Sequence, residues 1–352
     1  MLDIFALVSD AFNKKASDVH LSVGCHPVYR INGLLELQRN YPVITEKDLL
    51  DSIERLFERI DFHALENKKE IDFAFDVGEE IRVRGNLYYE RRKPALALRL
   101  ITKRIRTFEE LGLPSILKEF AERDSGLILV AGPTGSGKST TLAAIIDHIN
   151  SNYPYHIITI EDPIEYVFTN KKSVVHQREL GQDTKSFYDG LKYALRQDPD
   201  VILVGEMRDL ETMALALTAA ETGHLVLSTI HTNSAATAPE RIIDVFPPHQ
   251  QKQVALQLAN TLVAVIYQRL LRRADGKGMV PILEILVGTP AVKNLIRENK
   301  LHQIESIMQT SAKQGMVLFD DALFKAYVNG LIDKSQVYEY ARNPEEMRRK
   351  IG

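Results

Sequence analysis

The residues from Gly132 to Ser139 have the types and the spacing that bind phosphate groups. They read Gly-Pro-Thr-Gly-Ser-Gly-Lys-Ser and complete the pattern G-x-x-x-x-G-K-[ST]. Glycines permit backbone conformations that aim several N–H groups inward, and a following helix adds the positive end of its dipole. An apolar run before the loop and the helical pattern TTLAAIIDHI after it supply the strand and the helix that this motif requires. The sequence therefore predicts nucleotide binding at this loop.

Two side chains of the loop have expected partners on the nucleotide. Lys138 should reach the β- and γ-phosphates, and the Ser139 hydroxyl should ligate a Mg²⁺ ion that bridges them. ATP and Mg²⁺ are thus the expected ligands, and hydrolysis of ATP to ADP and phosphate is the expected reaction. The expected nucleotide-binding residues are Gly132, Pro133, Thr134, Gly135, Ser136, Gly137, Lys138, Ser139 and Thr140.

Carboxylates are needed beside such a loop to hold the Mg²⁺ shell and to orient the attacking water. Glu161 and Asp162 follow the run HIITI and precede Pro163, which should end that strand and turn both side chains toward the nucleotide. Glu206 follows VILVG in the place of a Walker B acid, with Gly205 where many P-loop proteins carry Asp. We favour Glu161 as the general base and Glu206 as an acid of the Mg²⁺ shell, directly or through water. The exchange of these two roles stays open, because a sequence contains no distances.

Two histidines flank another apolar run, LVLSTI. His231 ends this run, where its imidazole could sense a γ-phosphate, and His224 begins it. A single histidine is more often a structural hydrogen-bond partner, so this pattern alone does not decide between the two roles.

Arginines cluster before residue 100. Arg82 and Arg84 alternate on the strand pattern IRVRGNLYY and therefore point the same way, and Arg92 and Arg99 follow a turn. Arginine forks bind phosphate, and an arginine supplied by another domain or subunit would make hydrolysis depend on closure. A solvated basic strand face is the other interpretation, and the sequence leaves both open.

The elements that must position these residues form two predicted domains. Residues 1–100 hold an N-terminal helix and two alternating strand patterns, Ile71 to Val77 and Ile81 to Tyr89, which indicate a small α+β domain. Residues 101–113 are the predicted linker. In residues 114–280, apolar runs rich in β-branched residues alternate with helical patterns, which is typical of an α/β domain with a buried parallel sheet.

The remainder of the chain is predicted to be helical. Residues 281–352 form the predicted helical C-terminal region, with helices expected at Pro290 to Asn299 and Phe319 to Asn329. Gln253 to Leu271 is interpreted as one long helix.

Composition excludes several classes of protein. A net charge of −3, with acids and bases interspersed over 352 residues, gives no electrostatic footprint for nucleic acid or an anionic membrane. No apolar run approaches the ~18 residues of a membrane span, so direct membrane insertion is not expected. The start, MLDIFALVSDAFNKK, is interpreted as an amphipathic helix and not as a signal peptide, which favours a cytoplasmic protein. Cys25 is the single cysteine, which excludes an internal disulfide and a four-thiolate zinc site.

Four segments in order resemble the secretion ATPases of type II secretion and type IV pilus systems. They are the P-loop; Ile160 to Tyr166 (IEDPIEY), like the Asp box of that family; Leu195 to Asp209, like its Walker B segment; and Gly223 to Ala235, like its His box. The resemblance runs nearly end to end. It implies a PAS-like N-terminal domain, a RecA-like core with a helical C-terminal appendage, and a ring of six subunits.

The same resemblance implies roles for particular residues. Glu161, Glu206 and His231 match catalytic or nucleotide-sensing positions, and Arg84 and Arg99 match arginines that reach the γ-phosphate. His224 matches the other histidine of the His box, and Arg82 is a weaker match than its neighbours.

Within this family the retraction ATPases of type IV pili are the most similar branch. The segment AVKNLIRE, Ala291 to Glu298, resembles a motif associated with retraction, and the chain lacks the tetracysteine motif of many assembly ATPases. KKASDVHLS, Lys14 to Ser22, departs from the pattern GGSDLHL of the family because its glycines are lost. This branch implies twitching motility, an inner-membrane platform protein as partner, and peripheral association with that membrane through partners.

Three other functions are compatible with parts of this pattern. An accessory paralogue of the retraction motor would share most of these motifs. A hexameric helicase or DNA translocase would need aromatic residues interleaved with a basic run, which are not found. A regulatory adaptor that binds ATP without turning it over would not need Glu161 and Glu206.

Overall fold

The computed structural model describes residues 2–31, 33–59, 70–78 and 80–352. Its contacts divide the chain into two units, Met1–Arg104 and Ile105–Gly352. None of the helices in the described part of the chain is long and apolar enough to cross a membrane.

The first unit is an antiparallel sheet with two helices. Its elements are α1 (Ile4–Asn13), β1 (Ala16–Ser22), β2 (Val28–Ile31), β3 (Leu34–Leu37), α2 (Glu46–Arg59), β4 (Glu70–Val77), β5 (Ile81–Glu90) and β6 (Lys93–Thr102). The strand order is β3-β2-β1-β6-β5-β4. The two alternating patterns seen in the sequence are β4 and β5, so both strand predictions are confirmed.

Alternation decides which face of this sheet is covered. In β4, Ile71, Phe73 and Phe75 are buried and the residues between them are exposed. The apolar face of α1, with Leu7 and Val8 fully buried, belongs to the same core. The opposite face is left to polar and charged side chains, because successive strand residues point to opposite faces.

The second unit is a three-layer α/β domain. Its elements are α3 (Phe108–Leu111), α4 (Ile116–Ala121), β7 (Gly126–Ala131), α5 (Lys138–Asn152), β8 (His156–Glu161), β9 (Val174–Glu179), α6 (Phe187–Ala194), β10 (Val201–Val204), α7 (Leu210–Glu221), β11 (Leu225–Ile230), α8 (Ala238–Asp244), α9 (Pro248–Thr261), β12 (Leu262–Arg272), β13 (Met279–Val287), α10 (Pro290–Arg297), α11 (Ile304–Thr310), α12 (Phe319–Val328), α13 (Lys334–Tyr340) and α14 (Pro344–Ile351).

Seven strands form the sheet of the second unit, in the order β13-β12-β7-β11-β10-β8-β9. All neighbours pair in parallel except β13, which is antiparallel to β12. The strands β7, β10 and β11 are buried along their whole length, as both faces of the sheet are covered by helices. This arrangement confirms the prediction of an α/β domain with a buried parallel sheet.

The prediction of one long helix from Gln253 to Leu271 is wrong in its second half. Helix α9 ends at Thr261, and Leu262 begins β12, which pairs in parallel with β7. The β-branched run after Thr261 favours a strand, and burial on both faces removes the period-2 signal that would have marked it. The predicted all-helical region 281–352 likewise begins inside a strand, β13, and only then becomes helical.

The segment predicted as a linker, 101–113, contains the end of β6 and all of α3. Thr107 and Glu110 form a capping box at the start of α3. Phe108 is buried in the core of the second unit, so α3 is a packed part of that unit.

A tight contact in the first unit gives a test of its packing. Gly85 of β5 lies opposite Phe73 of β4, and a Cβ at Gly85 would lie 2.2 Å from the Phe73 ring. Gly85→Ala should therefore lower the free energy of unfolding by roughly 1–3 kcal/mol, measured by urea titration followed by circular dichroism. In a Phe73→Leu background the same change should have a smaller effect, since the two sites are coupled. Unchanged midpoints would contradict this packing.

Candidate active site

The sheet of the second unit brings four separated segments to one edge. The P-loop follows β7, Glu161 is the last residue of β8, Glu206 follows β10, and His231 directly follows β11. These four strands are consecutive and parallel, so their carboxyl ends lie at the same edge. Lys138, Glu161, Glu206 and His231 line one cavity of about 260 Å³.

Glycine is required in the P-loop by both conformation and space. Gly132 and Gly137 have φ values of 141° and 86°, in the region that side chains rarely adopt. A Cβ on Gly132 would lie 2.3 Å from the carbonyl oxygen of Gln268, so no larger residue fits there. The loop is therefore pressed against the backbone of β12.

Gln268 of β12 holds the P-loop through its side chain. Its Nε2 donates a hydrogen bond of 2.7 Å to the Ser136 carbonyl, and its Oε1 accepts one of 2.6 Å from the Thr141 hydroxyl. Gln268 is almost completely buried. The sequence analysis missed this residue. The available signal was a glutamine inside the apolar run VAVIYQRLL, since a buried amide must be paired.

The polar groups of the loop fit a polyphosphate. The Lys138 ammonium donates to the carbonyls of Gly132 and Pro133, at 3.0 Å and 2.9 Å. Burial lowers the pKa of Lys138, and the carboxylates of Glu165 and Glu206 oppose that effect. The buried Ser136 hydroxyl has no hydrogen-bond partner among the described residues. A cation and an unpaired hydroxyl on one glycine-rich loop suit an anion with several oxygens.

Glu161 is an oriented carboxylate. Its Oε1 accepts hydrogen bonds from the Thr159 hydroxyl at 2.6 Å and from the Gln177 amide at 3.1 Å. Burial raises the pKa of Glu161, the two hydrogen bonds lower it, and the charge of Glu165 raises it further, with a net increase. A fixed carboxylate with raised proton affinity is suited to accept a proton from water.

Glu206 lies in a different environment, between two cationic or potentially cationic side chains. Its Oε2 is 2.6 Å from Nε of Arg208 and 3.8 Å from Nε2 of His231. The carbonyl of Gly205 accepts a hydrogen bond of 2.6 Å from the Thr229 hydroxyl, which joins this loop to β11. Arg208 was missed by the sequence analysis, although it lies only two positions beyond Glu206.

The two histidines flanking β11 are separated by the structure. His231 lines the cavity with its side chain 52% exposed. His224 precedes β11 at the opposite end of the strand, and its Nδ1 is 2.9 Å from the carbonyl of Ala219 in α7. This contact is a local structural one, so His224 does not join the site.

A second cavity lies beside the same loop. It has a volume of about 220 Å³, and Gly137 and Thr140 belong to its lining. Its other walls combine the apolar Leu111, Leu113, Leu270, Met279 and Pro281 with the polar Arg106, Glu110, Thr141 and Gln268. Such a cleft next to a phosphate site has the chemistry to accept the flat face of a nucleobase.

The arginines singled out in the sequence lie in the first unit. Arg84 of β5 and Arg99 of β6 are directly opposite each other in antiparallel register, so both point to the same face. Nε of Arg99 is 3.1 Å from a carboxylate oxygen of Asp18, whereas Arg84 is exposed and forms no ion pair with any described residue. Arg82 is 3.9 Å from Asp76. Two guanidinium groups side by side form a surface suited to an anion.

No group of three or more His, Cys, Asp or Glu in the described part of the chain could hold a metal ion by itself. Mg²⁺ at a phosphate site uses one or two protein oxygens together with phosphate oxygens and water. Ser139 and Glu206 line one cavity and supply oxygen ligands of that kind, so the residues present fit this ion.

Comparison with known proteins extends over almost the whole chain. Residues 2–338 match the family model described as type II/IV secretion system protein. The chain is 47% identical to a twitching motility protein of Neisseria gonorrhoeae over 92% of its length and 86% of that protein. It is 45% identical to the type IV pilus retraction ATPase PilT of Pseudomonas aeruginosa, over 98% of its length and 99% of that protein.

A solved structure of a related protein has the same fold as this chain. The crystal structure of the pilus retraction motor PilT with bound ADP superimposes with a TM-score of 0.87 at 46% identity. The match covers 99% of this chain and 100% of that one.

The two hydrogen bonds by which Gln268 holds the P-loop give a test of the site. Gln268→Met keeps the size of the side chain but leaves the Ser136 carbonyl and the Thr141 hydroxyl unpaired. We expect the Kd for a fluorescent ADP analogue to rise on the order of tenfold, measured by fluorescence titration. Gln257→Met is the matched control, because the side chain of Gln257 donates its hydrogen bond to the exposed Glu221 on α7, far in sequence from the P-loop, and the Kd of this variant should be unchanged. Equal Kd values for the two variants would show that the hydrogen bonds of Gln268 do not support nucleotide binding.

Proposed function

Because this chain belongs to the type II/IV secretion system protein family, we propose that it is a motor that couples hydrolysis of Mg·ATP to retraction of a type IV pilus. The chain is a P-loop ATPase. The observation that carries the proposal is the meeting of Lys138, Glu161, Glu206 and His231 around one cavity at one sheet edge. Full-length similarity to retraction ATPases supports the choice of a pilus motor over a helicase or an adaptor.

In the proposed mechanism the P-loop binds the phosphates of ATP. The backbone N–H groups of the loop and the ammonium of Lys138 meet their negative charge. Ser139 and Glu206 would hold Mg²⁺, which when bound offsets charge that develops on the phosphates.

Glu161 is the proposed general base. Its carboxylate is held by Thr159 and Gln177, and no arginine or lysine is paired with it in the described residues. Glu206 is instead paired with Arg208, so its carboxylate is already engaged by a cation. This difference supports Glu161 as base and Glu206 as the acid of the Mg²⁺ shell.

His231 is the proposed sensor of the γ-phosphate. Its imidazole lines the same cavity as Lys138 and is 3.8 Å from Glu206, within reach of the phosphate end of a nucleotide bound there. Arg84 and Arg99 are proposed to supply further positive charge to the γ-phosphate, from the same subunit or from a neighbour. That role would link hydrolysis to movement of the first unit, with the part of segment 101–113 that lies between β6 and α3 as the hinge.

The proposed assembly is a ring of six subunits that associates with the inner membrane through a platform protein of the pilus system. We further propose a PAS-like first domain over 1–100 and a RecA-like core that begins at 114 and, unlike the predicted boundary at 280, includes all of β13, with a helical region after it. The chain would act in the cytoplasm and bind no nucleic acid.

The first experiment measures phosphate release with Mg·ATP and molecular mass in the same buffer, for the wild-type chain and Glu206→Ala. We expect turnover by a six-subunit species and its loss in the variant, because the variant lacks the acid of the Mg²⁺ shell. Expression of each chain in a strain whose retraction ATPase gene is deleted should restore twitching only for the wild type. Turnover without restored twitching would favour an accessory paralogue, and a folded hexamer without turnover would favour an adaptor.

The pH dependence of turnover tests the assignment of Glu161. Activity needs the deprotonated carboxylate, so kcat/KM for ATP should fall as pH falls through the pKa of Glu161. Since burial raises that pKa, the acid limb should lie at higher pH than for an ordinary glutamate. Glu165→Gln should move the limb to lower pH, because the charge of Glu165 raises the pKa of Glu161. Glu161→Gln should lower kcat on the order of 100-fold or more.

Two results would reverse this assignment. Near wild-type turnover by Glu161→Gln would transfer the base role to Glu206. A limb that does not move in Glu165→Gln would assign the titration to another group.

A further inference from the structure

A wholly buried carboxylate lies in the second unit outside the nucleotide cavity. Glu284 of β13 has no exposed surface. A buried charge is costly unless it is paired and hydrogen-bonded. Its two oxygens accept from Nη1 and Nη2 of Arg342, at 2.6 Å and 2.7 Å, in a bidentate pair. The backbone N–H of Ala235 donates a third hydrogen bond, of 2.7 Å, to the same carboxylate.

The pair holds consecutive residues of the loop that follows His231. Nη2 of Arg342 donates to the Asn233 carbonyl at 3.0 Å, and Nη1 donates to the Ser234 hydroxyl at 3.3 Å. Together with the bond from Ala235 to Glu284, these contacts fix three residues in a row. The loop from 232 to 237 is thus held by an ion pair whose carboxylate is wholly buried and whose guanidinium is partly exposed.

The other end of the pair is fastened to the C-terminal helices. Arg342 lies between α13 and α14, and its guanidinium lies 5.5 Å and 5.4 Å from the ring centres of Tyr267 and Phe319. The backbone N–H groups of Arg342 and Asn343 each donate 2.8 Å hydrogen bonds to Asp320 in α12. The position of the guanidinium is therefore set by α12 and by two aromatic rings, Phe319 of α12 and Tyr267 of β12.

His231 depends on its backbone for position. Its one polar side-chain contact in the described structure is the 3.8 Å approach to Glu206, and half of the side chain is exposed. Strand β11 fixes the chain before His231. The chain after it is fixed by the Glu284–Arg342 pair.

From these contacts we propose that Glu284 and Arg342 are positioning residues, which hold the loop after His231 and thereby place its imidazole at the phosphate end of the site. The helical region at the C-terminus then takes part in ATP hydrolysis without touching ATP. Stability alone gives little reason for a carboxylate at this place, because burying a charge is costly and apolar residues can fill the same space. The inference rests on the proposed function of His231.

The test compares ATP turnover by full-length chains carrying Arg342→Gln, His231→Ala or both. Arg342→Gln should lower kcat on the order of 10- to 100-fold, because misplacing a group by about 1 Å at the reacting phosphate has such an effect. KM for ATP and the Kd for a fluorescent ADP analogue should change less than about twofold, since the pair does not contact the P-loop. In the His231→Ala background, Arg342→Gln should add less than about a twofold loss.

Val337→Ala is the matched control. Val337 is wholly buried in α13, so its truncation destabilises the same helices and leaves the ion pair in place. Arg342→Lys, which keeps the charge and loses the bidentate fork, replaces Arg342→Gln if that variant does not fold, and its kcat should fall less far.

The outcomes separate the two proposals. The inference is overturned if the Arg342 variants lose turnover only in proportion to thermal stability, as Val337→Ala does, or if their losses multiply with that of His231→Ala. Wild-type turnover by His231→Ala overturns the proposed role of His231 and the inference with it. A loss in His231→Ala together with no further loss in the double variant supports both.

Discussion

Parallel pairing of β7, β11, β10 and β8 determines where every group of the active site can lie. In a parallel sheet each strand must return by a crossover, so all carboxyl ends, and the loops that follow them, collect at one edge. The P-loop, the loop of Glu206 and the loop of His231 are such loops, and Glu161 is the last residue of its strand. These segments meet in space although Gly132 and His231 are 99 positions apart in the sequence. The chemistry of the site is thus a consequence of strand direction.

The charged groups around this edge are distributed unequally, so Glu161 and Glu206 lie in different electrostatic environments. Glu206 faces Arg208 and His231. Glu161 faces the neutral donors Thr159 and Gln177 in a buried place that raises its pKa. Two side chains of the same type therefore lie in different surroundings. Those of Glu206 suit the shell of a cation, and those of Glu161 suit a group that accepts a proton.

The sequence was sufficient for groups that lie inside contiguous motifs. The P-loop, the strand-end acids and His231 each follow an apolar run whose type was predictable, so their placement at one edge followed from the α/β pattern. For Gln268 the apolar run around it indicates only a buried, paired amide, because its partners Ser136 and Thr141 are more than a hundred residues away in the sequence. For the same reason the sequence does not indicate that Glu284 pairs with Arg342, because this contact exists only in the tertiary structure. The error at Gln253 to Leu271 has a different cause: a strand buried on both faces has no alternation to separate it from a buried helix.

The hairpin of β12 and β13 carries the two residues that hold loops of the active site, Gln268 and Glu284. Gln268 and Glu284 lie on opposite faces of it, because Tyr267, the neighbour of Gln268, is the residue paired with Glu284. One face holds the phosphate loop and the other holds the loop of the imidazole. A slip of the hairpin by one residue would turn each side chain to the wrong face. The two loops therefore depend on the register of one hairpin: a one-residue insertion or deletion in β12 between its pairing with β7 and Gln268 would turn Gln268 away from the P-loop and misalign Tyr267 with Glu284 in the same event.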